Sequence, residues 1–81
     1  MPKLYSSREI VGALERAGFV FVSQRGSHVK YRMTGSPTRT VIVPAARKQI
    51  PRGTFRSILR QSGLSEDAFR LTVPRDQPPG R

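Results

Sequence analysis

The stretch Gln24-Arg25-Gly26-Ser27-His28-Val29-Lys30-Tyr31-Arg32-Met33 holds the chain's only histidine, with a turn signal before it and an alternating run after it. Successive side chains of a strand point to opposite faces. A strand over residues 28–33 therefore puts His28, Lys30 and Arg32 on one face and Val29, Tyr31 and Met33 on the other. The apolar set can bury against helices. The polar set places one titratable imidazole beside two cations on an open surface.

Upstream, Ser6-Ser7-Arg8-Glu9 has the spacing of a capping box, in which Ser6 caps a helix and Glu9 reaches back. Ile10, Val11, Leu14 and Ala17 then recur at helical spacing until Gly18. Phe19 to Gln24 is β-branched and aromatic and reads as a first strand, joined to the second through a tight turn at Gly26-Ser27. Downstream, Thr34-Gly35-Ser36-Pro37 is a turn by composition, and Thr38 to Val43 a third strand closed by Pro44. Ala45 to Ile50 is a basic loop carrying Arg47 and Lys48. Pro51-Arg52-Gly53-Thr54 opens a second helix with Phe55, Ile58, Leu59 and Ser62 on one face and Arg52, Arg56 and Arg60 on another, ending at Gly63. Leu64 to Phe69 reads as a further capped turn with Phe69 folding back. Phe19, Phe21, Phe55 and Phe69 are expected in the core, with Tyr31 pointing inward. The order is α-β-β-β-α, an α+β chain with a three-stranded antiparallel sheet and two helices packed on one face.

At 81 residues there is room for one domain, expected over 1–72, with 73–81 a flexible C-terminal tail rich in proline and charge. A chain this short buries only roughly 60% of its extended surface, so its core must be small. The absence of cysteine removes disulfides and thiolate metal sites and fits a reducing cytosol. Residues 1–7 contain no apolar leader core, and no later run is long enough to span a bilayer, so a cytoplasmic location without membrane partners is expected. The net charge of +10 points to an anionic partner, nucleic acid first, an acidic protein second and an anionic membrane third.

The order of elements, together with Ala17-Gly18-Phe19, Gly26-Ser27-His28 and the run from Ile50 to Leu64, resembles the HicA toxin family. The likeness extends over about Leu4 to Leu71. It implies a double-stranded-RNA-binding-like fold and the activity of an mRNA-cleaving ribonuclease in a type II toxin–antitoxin system. It also implies His28 as the catalytic histidine and an antitoxin of the HicB type as partner. Many members carry a second histidine shortly after the third strand, in a Pro-x-His arrangement. Here Pro44-Ala45-Ala46 has alanine at that position, which puts any role of that second histidine in doubt.

The residues argue for related chemistry on their own. RNA carries its own nucleophile, the 2′-hydroxyl, so a protein that cleaves it needs a base, an acid and cations near the phosphate. Histidine suits either proton transfer. Lys30 and Arg32 can offset phosphate charge, Gly26 lets the backbone approach a ligand, and Ser27 can orient it. Arg47, Lys48, Arg52, Arg56 and Arg60 are further candidates for RNA contact, as a phosphate-tracking row on the last helix would be in such a fold. Gly53-Thr54 offers a helix start where free N–H groups can hold a phosphate. With one histidine no Ser-His-Asp triad is available. The five acids Glu9, Glu15, Glu66, Asp67 and Asp76 lie outside the sheet and do not cluster with His28 in sequence. Metal-independent acid–base chemistry is left, with no cofactor.

Two rival readings stay open at this point. One is a non-catalytic basic RNA-binding module of the same fold, in which His28 is incidental. The other is a ribosome-associated structural protein. Whichever holds, a monomer is expected when no partner is bound.

Overall fold

A computed structural model describes residues 4–72. They run α1 (Ser7–Ala17), β1 (Val20–Arg25), β2 (His28–Met33), β3 (Arg39–Pro44), α2 (Arg52–Ser62) and α3 (Glu66–Thr72). The three strands form one antiparallel sheet in the order β1-β2-β3, so the α+β, α-β-β-β-α reading holds. The tail expected over 73–81 lies outside the described residues.

The capping box is present in full: Ser6 Oγ accepts from the Glu9 amide at 3.1 Å, and Glu9 Oε1 accepts from the Ser6 amide at 3.0 Å. These two bonds satisfy donors that the first turn of α1 would otherwise leave free. Ile10, Ala13 and Leu14 bury the inner face of α1, with Val11 and Ala17 packed beside them. Tyr31, Val41 and Val43 supply the sheet's share of the core, and Phe55 and Ile58 that of α2. Ring packing closes the far end, with Phe55 5.1 Å from Tyr5 and 5.2 Å from Phe69 between ring centroids.

Three details differ from the sequence expectations. Residues 66–72 form a short third helix rather than a turn, packed against α1, and Phe69 is buried from it. The first strand begins at Val20, so Phe19 sits in the core from the linker before it. Phe21, expected in the core, is 56% exposed. The physical reason is coverage: α1 and α2 pack over β3, which leaves β1 as an edge without a helix above it. Val20 and Val22 are exposed on the same strand.

Candidate active site

The hairpin that delivers His28 is built on glycine. Gly26 takes φ 59° at the first position of the two-residue loop, where the primed turns of hairpins need a positive angle. Gln24 braces the turn, its Nε2 donating to the Gly26 carbonyl at 3.1 Å. His28 is the first residue of β2, paired with Arg25 on one side and Pro44 on the other. It is exposed on the sheet face opposite buried Tyr31.

A β-bulge at Val22 decides what stands next to it. Phe21 pairs with Tyr31, but Ser23 pairs with Lys30, so one residue is inserted between them. Side chains two apart normally share a face. The extra residue breaks that rule, leaving Phe21 on the helix side while Ser23 and Arg25 join His28 and Lys30 on the open side. Arg25 lines a hollow of about 290 Å³ with His28 and Lys30. Regular alternation from Phe21 would have sent Arg25 to the other face. Sequence reasoning missed it because no glycine or other local signal marks the bulge. Arg32 lies further along the open face, its Nε 3.4 Å from Thr40 Oγ1.

On its other flank His28 lines a second hollow, of about 480 Å³, with Ser27, Arg47 and Thr54. Arg47 and Thr54 come from the loop after β3 and from the first turn of α2, which no side chain caps. Two clamps set that loop. The Ser27 carbonyl accepts from the Ala45 amide at 2.7 Å, tying the loop to the hairpin. Buried Ser7 donates through Oγ to the Pro44 carbonyl at 2.6 Å and accepts from the Arg47 amide at 2.9 Å. The Ser7 amide completes the grip, donating to the Arg47 carbonyl at 2.9 Å. Between these clamps Ala46 adopts φ 57°, a left-handed conformation that costs a residue with a Cβ about 1–2 kcal/mol.

The structure brings Gly26, Ser27, His28, Lys30 and Arg47 into one neighbourhood and spreads the rest. Arg56 and Arg60 are exposed on α2, and Lys48 is exposed in the loop. Arg52 differs from its row: its guanidinium donates to both carboxylate oxygens of Glu66, at 3.2 and 3.4 Å, and lies 5.4 Å from the Phe55 ring centroid. Among the described residues, no three His, Cys, Asp or Glu side chains stand close enough together to hold a metal ion. No helix among them is long and apolar enough to cross a membrane.

A family model described as the HicA toxin of bacterial toxin-antitoxin matches residues 7–64. That match runs from the first residue of α1 through the hairpin, the clamped loop and all of α2. The chain belongs to the HicA toxin family. No curated protein matches the chain. As a HicA toxin it is the toxin of a toxin–antitoxin pair, and an antitoxin partner goes with that role.

Proposed function

We propose that this HicA toxin is an endoribonuclease that cleaves mRNA by metal-independent acid–base catalysis through His28. In this reading an antitoxin of the HicB type neutralises it, and it works in the cytoplasm as a monomer when free. The observation that carries the reading is the setting of His28. Its exposed imidazole stands between two hollows, one lined by Arg25 and Lys30 and the other by Arg47 and Thr54.

The chemistry follows from that setting. The RNA 2′-oxygen attacks the adjacent phosphorus and loses its proton, while the 5′-oxygen of the next nucleotide leaves and gains one. His28 performs one of these transfers. The cations hold the phosphate and offset the charge that builds on its oxygens. The hollow with Thr54 also gives a phosphate access to the N–H groups at the start of α2. Lys30, water or the RNA itself completes the second transfer, so turnover is slow. Lys48, Arg32, Arg56 and Arg60 track the flanking phosphates, and Gly26 and Ser27 keep the turn low enough for the strand to pass. Arg52 belongs to that row in sequence, but its bonds to Glu66 leave it a lesser part.

The test is cleavage of single-stranded RNA in the presence of a chelator. The expected products end in a 2′,3′-cyclic phosphate and a 5′-hydroxyl, and a substrate with 2′-deoxy at the cut site should resist. Efficient cutting of the 2′-deoxy substrate would defeat the mechanism. RNA that binds and stays whole would leave a binding module without catalysis.

A further inference from the structure

A further hollow lies away from His28, a groove of about 560 Å³ on the helix side of the sheet, between the start of α1 and the uncovered strand β1. Its floor is apolar, formed by Val11, Phe21, Val29 and Tyr31. Its rim carries Arg8, Arg47 and Lys48, and among the described residues no carboxylate lines it. Phe21 lies edge-on to Tyr31, with 6.0 Å between centroids and 80° between planes, and keeps most of its own surface in solvent. Pro44, Ala45 and Arg47 line both this groove and the hollow of His28, so the two border the same clamped loop.

We infer that this groove is a subsite for an unstacked nucleobase of the RNA whose phosphate lies at His28. The inference rests on the ribonuclease reading above and adds the place where the strand is gripped beside the cut. Three cations around an apolar floor match a ligand that is flat and aromatic inside and anionic outside, which describes a nucleotide. Single-stranded RNA is recognised by splaying bases onto aromatic side chains while basic residues follow the backbone. The volume falls within the roughly 300–1,000 Å³ of small-molecule sites, enough for a base and its sugar. A strand crossing from His28 over Arg47 enters the groove without leaving basic surface.

The chain has no tryptophan, so Phe21→Trp creates a single fluorescent reporter in the groove. The probe is octa-adenylate methylated at each 2′-oxygen to block cleavage, beside the same backbone without bases. Octa-adenylate should quench the Trp and shift the amides of Val11 and Val29 together with those of His28 and Lys30. Phe21→Ala should weaken octa-adenylate binding by roughly five- to a hundredfold and leave the abasic strand unchanged. Because the Phe21 side chain is largely exposed, the fold should survive both changes, and circular dichroism checks it. Shifts confined to the open sheet face, with Phe21→Ala binding as well as wild type, would overturn the base subsite while leaving the ribonuclease reading intact. The groove would then be free for an apolar protein partner. No binding of either strand would overturn both.

Discussion

Tyr31 and His28 stand three positions apart on one strand and therefore face opposite sides of the sheet. His28 is open to solvent, whereas Tyr31 is buried with its hydroxyl donating to Glu15 Oε2 at 3.5 Å. Burial, then the charge of Glu15 and the hydrogen bond to it, raise the phenol above its usual value of 10.0. Tyr31 thus keeps its proton at neutral pH and lies on the wrong face to exchange one with His28. The raised value also has a consequence for stability. The folded state holds the proton more tightly than the unfolded chain, so this contribution is complete below pH 10 and is lost as pH climbs through the folded value. The melting temperature of the wild type should therefore fall more steeply above pH 10 than that of Tyr31→Phe. Parallel curves for the two proteins would contradict this assignment.

At the scale of elements, the first turn of α1 places the loop that carries Arg47. Ser7→Ala leaves the Pro44 carbonyl and the Arg47 amide without their side-chain partner. Stability should drop by about 1–2 kcal/mol, which in a domain of this size lowers the melting temperature by roughly 5–10 °C. Cleavage at a temperature where the variant is fully folded should fall too, because residue 7 then holds Arg47 beside His28 by its backbone amide alone. Full activity in a destabilised Ser7→Ala protein would show that the clamp only supports the fold. Helices α1 and α2 were legible in the sequence because their signals are local: Ser6 and Glu9 three apart, apolar residues at three and four, and a glycine closing each C-terminus. The face of β2 was legible for the same reason, since alternation from His28 to Met33 is unbroken. The bulge was not, because nothing in Phe19-Val20-Phe21-Val22 distinguishes the residue to be left over. The arrival of Arg25 at the site follows from the bulge, whereas the exposure of Phe21 and the groove follow from the lack of a helix above β1. The meeting of Thr54 with His28 depends on how α2 docks along β3, which no local pattern encodes.

For the whole molecule, charge is the dominant property, and the fold divides it into separate patches. Arg25, Lys30 and Arg32 lie on the open sheet, Arg56 and Arg60 on α2, and Arg52 is held by Glu66. RNA affinity should fall linearly on a log–log scale with salt, each phosphate contact on a single strand adding about 0.7 to the slope. Arg56→Gln with Arg60→Gln should therefore flatten the slope by roughly 1.4 if both residues meet phosphates. An unchanged slope would mean that this helix face is only solvated. The same division lets binding and catalysis be separated, because His28 is one side chain among many basic ones in a chain at +10. The most direct measurement is the rate of RNA cleavage and the RNA affinity of His28→Ala, taken on the same folded preparation. Cleavage should fall on the order of a hundredfold or more while affinity stays within a few-fold of wild type. A folded His28→Ala protein that cuts RNA at the wild-type rate would contradict catalysis by His28.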